Sequence, residues 1–166
     1  MLTDSELGAL FSEIDRLPCS KEEPFQNEIA PTLFRLFYTC GSRPNEGREL
    51  LSDNVNLSTG EVLITNTKHN KERIVVMSDD MLMRRIFCND NPYFFPSNCG
   101  GAFASAKILK LLNAAWFKAS HSPESPVPRL IRVYDLRHRY ASACLTRWLD
   151  DGENLMAMLP FLRTYM

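Results

Sequence analysis

The sequence has few of the residues and runs that mark several common protein classes. Its 166 residues include five cysteines, an odd number with no C-x-x-C pair, which argues against a disulfide framework. We interpret them as reduced thiols of a cytoplasmic protein. No apolar run approaches the length of a membrane span, and the opening residues MLTDSE lack the basic start and apolar core of a secretion signal. We therefore expect a soluble intracellular protein without a membrane partner.

Histidine is scarce and charge of either sign is nearly balanced. The three histidines have no partner of metal-ligand type four residues away, and the cysteines are scattered, so we predict no metal site. The net charge of -1 does not by itself indicate a nucleic-acid partner. Its distribution is uneven, because residues 1–30 carry seven acidic and two basic side chains, whereas residues 102–148 carry eight basic and two acidic ones. A basic second half is compatible with DNA binding.

The hydrophobic pattern predicts one domain over residues 1–166, since 45% hydrophobic composition at this length supports a single core. Thr3 and Glu6 have capping-box spacing before a first helix that ends at Pro18. A second helix is predicted over residues 27–39, followed by a turn at Gly41. Pro44 suits the first position of a short new helix, which puts the preceding residue where backbone N–H groups favour anions.

Beyond this point the period changes from helical to alternating. Residues 55–57, 61–66 and 72–77 predict a small three-stranded antiparallel sheet. Helices are expected again at about residues 80–87, 102–120, 135–149 (with Asp135 as the cap) and 154–165, and residues 89–101 and 122–128 are predicted to be loops. The aromatic residues 93–95 are more simply explained as anchors of the first loop than as a base-stacking platform. The predicted fold class is α+β, mainly helical with one small sheet.

Two basic motifs and one lysine are candidates for a phosphate-binding site. Residues 40–46, CGSRPNE, put Arg43 three positions before Glu46, and residues 134–138, YDLRH, contain Arg137. Lys68 lies in a polar turn between two predicted strands. Taken singly, each has a plain alternative: a surface ion pair, a capped helix with a mixed-charge first turn, and a solvated lysine.

In their order, these motifs resemble the catalytic domain of the tyrosine recombinases, the phage integrase family, whose patterns are T-G-x-R-x-x-E, a hairpin lysine and H-x-L-R-H. The likeness around the first motif extends to its apolar positions over residues 33–50. Cys40 stands where that family usually has threonine. The run KHNKER at residues 68–73 keeps the spacing of the family's K-T-G-K-x-R. The resemblance implies the family's catalytic-domain fold and double-stranded DNA as the partner, with no cofactor.

The resemblance also implies roles for four residues. Arg43 and Arg137 would grip the scissile phosphate, and Glu46 would support them. Lys68 would donate a proton to the departing 5′ oxygen, which neighbouring positive charge and burial against DNA favour by lowering its pKa.

Five further positions have weaker implications. Tyr134 stands where the family has a histidine, and its phenol can donate a hydrogen bond to phosphate but is a poor base at neutral pH. His138 matches the second histidine of the pattern, and packing in the core or behind the residues that contact the phosphate is an equally good interpretation. Lys71 and Arg73 would contact backbone phosphates or stay solvated, and Arg139 is a further candidate for DNA binding.

The family's active site is expected to be incomplete in this sequence. The nucleophilic tyrosine should follow a Gly-His pair, and the stretch LPFLRTYM at residues 159–166 resembles the segment that precedes that pair. We therefore expect Tyr165 to be a packing residue, and the family's N-terminal DNA-clamping domain to be absent.

The implied activity is site-specific DNA recombination through a 3′-phosphotyrosyl intermediate in the parent protein, with this fragment inactive alone. Full-length family members act as tetramers on paired DNA sites, and we expect a monomer or weak dimer here. Two alternatives stay open. One is a non-catalytic DNA-binding remnant or regulator, and the other is a helical interaction module whose arginines bind an acidic partner.

Overall fold

The structure is a computed structural model that describes residues 1–19, 25–65, 72–82, 91–120 and 130–165. Its helices and strands are α1 (Asp4–Asp15), α2 (Gln26–Thr39), α3 (Pro44–Arg48), β1 (Glu61–Ile64), β2 (Arg73–Val76), α4 (Asp79–Leu82), α5 (Ser105–Ser120), α6 (Val133–Asp150) and α7 (Leu155–Tyr165). The predicted α+β, mainly helical class is confirmed. Of the described helices, none is both long enough and apolar enough to span a membrane.

Helix α2 lies at the centre of the molecule and packs against α1, α3 and α6. Its residues Leu33, Phe34, Leu36 and Phe37 are fully buried. A helix that is apolar on most sides must be covered on most sides, and the neighbouring helices supply that cover. Helices α1, α3 and α6 are thus held together by their packing on α2.

Helix α1 packs against α2 and α5 and begins with the predicted capping box. The hydroxyl of Thr3 accepts a hydrogen bond from the Glu6 backbone N–H at 3.2 Å, and the Glu6 carboxylate accepts one from the Thr3 N–H at 2.7 Å. Arg35 of α2 ties the two helices together, because both of its Nη atoms donate to the Asp15 carboxylate at 2.8 Å. Its guanidinium also lies over the ring of Phe11.

The sheet has two antiparallel strands, with Glu61 paired to Val76 at one end and Ile64 to Arg73 at the other. The prediction of a third strand at residues 55–57 is wrong in the described part of the chain, where it shrinks to one bridge between Val55 and Val62. The side chain of Asn56 explains this. Its Oδ1 accepts hydrogen bonds from the backbone N–H groups of Ser58 and Thr59, at 3.0 and 3.2 Å, and the chain turns before a second bridge forms.

Two helix starts also differ from prediction. Helix α5 begins at Ser105 rather than near residue 102, because Ala102 is still bridged to Pro96 across the preceding loop. Helix α6 begins at Val133, so Asp135 is its third residue and caps from inside the helix by accepting from the Arg132 N–H at 2.7 Å. The aromatic loop anchor is confirmed, since Phe94 and Phe95 of that loop are buried.

Candidate functional site

Three parts of the chain meet at the candidate site: the junction of α2 and α3, the start of β2, and the first two turns of α6. They bring the side chains of Arg43, Arg73 and Arg137 to the carboxylate of Glu46. The sequence predicts the proximity of Arg43 and Glu46, which are three residues apart at the start of one helix. The other two arginines arrive from distant parts of the chain, so only the fold can bring them there.

Arg43 is the N-cap of α3 and is bound to Glu46 twice. Its backbone N–H donates to one carboxylate oxygen at 2.8 Å, and its Nη1 donates to the other at 2.6 Å. The Arg43 side chain is 28% exposed, whereas that of Glu46 is 3% exposed. The guanidinium of Arg43 therefore connects a buried carboxylate with the surface.

Arg73 approaches the same carboxylate from β2. Its Nη2 donates to Oε2 of Glu46 at 2.7 Å and its Nη1 donates to Oε1 at 3.3 Å. The residue is only 8% exposed, so the alternative that Arg73 stays solvated is wrong, while its predicted contact with a DNA phosphate stays a prediction. The buried carboxylate of Glu46 accepts hydrogen bonds from Arg73, and this interaction offsets the cost of burying the charge of Arg73.

Arg137 is the most buried of the three arginines, with a side chain 3% exposed. Its Nη1 donates to the carbonyl oxygen of Gly41 and lies 4.0 Å from Oε2 of Glu46. Gly41 has a φ of 57°, in the left-handed region. A Cβ at this position would also lie 2.5 Å from a ring carbon of Tyr140, so glycine is required twice over. The acceptor for Arg137 therefore depends on a residue with no side chain.

The cluster carries three positive charges and one negative charge, and the pKa values reflect this. Burial alone would raise the pKa of Glu46, but hydrogen bonds from Arg73 and Arg43 outweigh it and lower that pKa to about 2. Burial, followed by repulsion from Arg43, lowers the pKa of Arg137 to about 10, which still leaves it charged at neutral pH. At neutral pH, four ionised groups therefore give this cluster a surplus of positive charge.

Cys40, which takes the place of the expected threonine, closes the C-terminal end of α2. Burial raises the pKa of its thiol to about 11, against smaller opposing effects of a hydrogen bond from Thr39 and the charge of Arg73. Its Sγ lies 3.5 Å from the carbonyl oxygen of Val76. A neutral buried thiol is unreactive, so Cys40 packs beneath the site without taking part in its chemistry.

Tyr134 lies in the first turn of α6 and is 47% exposed. It helps to line an open cavity of about 280 Å³ whose other walls include Pro44 and Asn45 of α3. The phenol is thus beside the helix that Arg43 caps, on the accessible side of the cluster. A hydrogen-bond donor at this point suits an anion held by the arginines.

The remaining predicted residues fall into three groups. Lys68 and Lys71 lie outside the described residues. His138 is exposed, so its interpretation as a core packing residue is wrong. Arg139 forms an ion pair with Asp4 at the start of α1, with its own side chain 16% exposed.

Two functional features escaped the sequence reasoning. The burial of Arg73 had a signal, because residues two apart on a strand share a face and Val75 is an inward-facing apolar residue. The contact of Tyr140 with Gly41 had no local signal, since nothing in the spacing of these two residues indicates that α6 crosses the end of α2 there. Among the described residues, no group of three or more His, Cys, Asp or Glu side chains is placed to hold a metal ion.

Comparison with known proteins identifies the family. The model of the phage integrase family matches residues 1–152. The chain belongs to the phage integrase family. The predicted resemblance to the tyrosine recombinases is thereby confirmed, and the site described above lies entirely within the matched part of the chain.

Two curated proteins from Sinorhizobium fredii (strain NBRC 101917 / NGR234) are similar to this family member. The one named "Putative integrase/recombinase y4rE" is 28% identical over 174 residues, which cover 100% of this chain and 55% of that protein. The one named "Putative integrase/recombinase y4rB" is 29% identical over 152 residues, which cover 81% of this chain and 46% of that protein. The chain thus spans about half the length of the curated relatives it matches.

Solved structures of recombinases and integrases share the fold. XerA recombinase matches with a TM-score of 0.72 at 19% identity, over 99% of this chain and 53% of its own. XerH site-specific recombinase bound to difH substrate matches with a TM-score of 0.70 at 19% identity, over 99% of this chain and 49% of its own. The catalytic domain of bacteriophage HP1 integrase matches with a TM-score of 0.56 at 22% identity, over 95% of this chain and 76% of its own. The expected catalytic-domain fold is therefore confirmed.

Proposed function

We propose that this chain is the part of a site-specific DNA recombinase that grips the phosphate, with Arg43 and Arg137 holding the non-bridging oxygens of one DNA phosphodiester. The observation that carries the proposal is the Arg–Glu cluster, in which three guanidinium groups share one carboxylate. A cluster with more guanidinium groups than carboxylates, placed beside the surface, attracts an anion. Charge-assisted hydrogen bonds to phosphate are the strong interactions that such a site offers.

The pattern of exposure indicates where the anion would enter. Arg43 is the cluster member with substantial solvent exposure, at 28% of its side chain. It also caps a helix beside the cavity that Tyr134 lines. A phosphate entering there would meet Arg43 and Tyr134 before it reached the more deeply buried Arg137.

The proposed chemistry is transfer of a DNA strand through a covalent protein link. A tyrosine hydroxyl attacks the phosphorus and loses its proton to solvent, the bond to the 5′ oxygen breaks, and a 3′-phosphotyrosyl bond forms. The two arginines stabilise the extra charge of the five-coordinate transition state, and Lys68 delivers a proton to the departing 5′ oxygen. The energy of the broken phosphodiester is kept in the new ester, so a second DNA end can reverse the step.

We assign the attacking tyrosine to a position outside this sequence. In the family it follows a Gly-His pair, and the 166 residues contain no such dipeptide. The proposed role of this chain is therefore binding and orienting the phosphate. Double-stranded DNA is the proposed partner, in keeping with the difH substrate in the matched XerH structure.

The test is binding of the chain to a duplex oligonucleotide over a range of salt concentrations. Arg43→Gln and Arg137→Lys should each weaken binding by about tenfold, the cost of one charge-assisted hydrogen-bond pair. Arg43→Gln should also reduce the slope of log affinity against log salt by about one, because one phosphate contact is lost.

Arg35→Gln is the matched control, because Arg35 also binds a carboxylate through both Nη atoms but lies between α1 and α2. Its duplex affinity and salt slope should equal those of the unmodified chain. Unchanged affinity and slope in Arg43→Gln would contradict the proposal and favour an interaction module with ion pairs at its surface.

A further inference from the structure

We propose that Arg73 is a positioning residue for the phosphate site, holding the Glu46 carboxylate in the one orientation that fixes Arg43. This inference rests on the proposed function and deepens it. The sequence predicts that Arg73 contacts DNA, whereas in the structure its side chain is bonded to the buried carboxylate of Glu46.

Arg43 and Arg73 share the two carboxylate oxygens of Glu46. Oε2 accepts from the backbone N–H of Arg43 at 2.8 Å and from Nη2 of Arg73 at 2.7 Å. Oε1 accepts from Nη1 of Arg43 at 2.6 Å and from Nη1 of Arg73 at 3.3 Å. Each arginine therefore engages both oxygens, and the carboxylate plane is held from two sides. Without Arg73, Glu46 would accept hydrogen bonds only from Arg43, and Arg137 would remain a more distant ion-pair partner at 4.0 Å.

Burial separates the roles of the two arginines. The side chain of Arg73 is 6% exposed and that of Arg43 is 28% exposed. The face of Glu46 that Arg73 covers is therefore the interior one. An incoming phosphate meets Arg43, and Arg73 acts on it through Glu46.

The position of Arg73 in the chain gives the contact a second consequence. Arg73 is the first residue of β2 and pairs with Ile64 at the end of β1, so it sits at the base of the connection between the strands. Its bond to Glu46 fastens that base to α3. Lys68, the proposed proton donor, is five residues before Arg73 in the sequence.

Stability alone is a weak reason to bury this pair, because well-packed apolar side chains usually serve as well as a buried ion pair. Lysine at position 73 would keep the positive charge but not the planar fork that reaches both oxygens. The lysine variant therefore distinguishes orientation of Glu46 from the presence of a charge.

The experiment measures the affinity of the 166-residue chain for inorganic phosphate, from NMR shifts of the arginine Nε–H signals during titration. Arg73→Lys and Arg73→Gln should both lower the affinity by about tenfold, since both lose the fork that orients Glu46. Arg35→Lys is the matched control, because it loses an equivalent fork to Asp15 away from the site. It should lower the thermal midpoint by a smaller amount, because the Asp15 side chain is 36% exposed, and leave phosphate affinity unchanged.

The outcomes separate this inference from the proposed function. If Arg43→Gln binds phosphate as the unmodified chain does, the phosphate site is wrong and the role of Arg73 falls with it. If Arg43→Gln loses binding while Arg73→Lys retains it in full, the phosphate site stands and the positioning role of Arg73 is overturned.

A second measurement needs no substitution at Arg73 and so does not depend on a variant that folds. In the unmodified chain, added phosphate should shift the Nε–H signal of Arg43 far more than that of Arg73. A larger shift at Arg73 would make it a direct phosphate ligand and would overturn the positioning role.

Discussion

Among single residues, Glu46 links the stability of the fold to pH, because its carboxylate accepts hydrogen bonds from both Arg43 and Arg73. The pKa of Glu46 falls from an ordinary value of 4.5 to about 2 in the folded protein. A lowered carboxyl pKa stabilises the fold fully above about pH 4.5, and this contribution is lost as the pH falls towards 2. The shift corresponds to about 3 kcal/mol at neutral pH.

Glu46→Gln should therefore reduce the free energy of unfolding by about 3 kcal/mol at pH 7, and this deficit should shrink between pH 4.5 and 2. Urea unfolding at pH 7, 5, 4 and 3 measures the difference. Glu49→Gln is the control, because the Glu49 side chain is 37% exposed in its pair with Arg48, and its effect should stay below about 0.5 kcal/mol. A deficit for Glu46→Gln that does not change with pH would contradict this account.

Gly41 is the second residue on which the site depends. Gly41→Ala places a Cβ 2.5 Å from the Tyr140 ring at a φ of 57°, so it combines a clash with backbone strain. Gly100→Ala isolates the strain, because Gly100 has a φ of 84° with nothing within 4 Å of the added atom. We expect a cost of about 1 kcal/mol for Gly100→Ala and about 3 kcal/mol for Gly41→Ala in chemical denaturation.

Adding Tyr140→Ala to Gly41→Ala should recover part of the excess, since it removes the ring that the new methyl group meets. Equal costs for the two glycine variants would mean that Tyr140 moves aside freely. The close approach of α6 to the end of α2 would then not be what requires glycine at position 41.

At the scale of elements, the helices were easier to predict than the strands. A capping box and a repeating apolar face in the sequence predict helix α1, and both are found in the structure. Residues 55–57 have the alternating pattern of a strand. The side chain of Asn56 nevertheless accepts hydrogen bonds from two backbone N–H groups in the following turn, and strand pairing ends there. Alternation of apolar and polar residues indicates which residues suit a strand. Whether a strand forms also depends on local turns, which the alternation does not show.

Helix α7 differs from the other long helices because most of its described apolar side chains are exposed. Leu162 is 8% exposed, whereas its neighbour Phe161 is 61% exposed. Leu162→Ala should cost about 2–3 kcal/mol of folding stability, and Phe161→Ala less than about 0.5 kcal/mol. Thermal or urea unfolding of the two variants tests this, and similar losses for both would show that α7 rests on a different face.

Across the whole molecule, the order of the motifs predicted the family and the fold, and their identity predicted which residues meet. Arg43 and Glu46 were readable as a pair because they are neighbours on one helix. That Arg137 would reach the carbonyl of Gly41 was not readable, because it depends on how α6 crosses α2. Long-range packing leaves no periodic signal in either partner, so the predicted site lacked the contacts of Arg137 with Gly41 and of Arg73 with Glu46.

The net charge of the chain does not show where its positive charges are concentrated. A net charge of -1 gives no general attraction to DNA, while the described cluster around Glu46 concentrates three guanidinium groups in one place. Binding is therefore expected to depend on a few contacts, and its salt dependence to be shallow. An extended basic surface makes many phosphate contacts, so its binding to DNA depends more steeply on salt.

The hydrogen bond from Arg137 to Gly41 joins residues 96 positions apart. During synthesis, Arg43, Glu46 and Arg73 leave the ribosome well before Arg137 does, since chains emerge from the N-terminus. The third guanidinium can join only after α6 has docked on α2, at the entropic cost of closing a long loop. An unfinished or misassembled chain thus lacks half of the proposed grip on DNA, and competence to hold a phosphate becomes a sign that folding is complete.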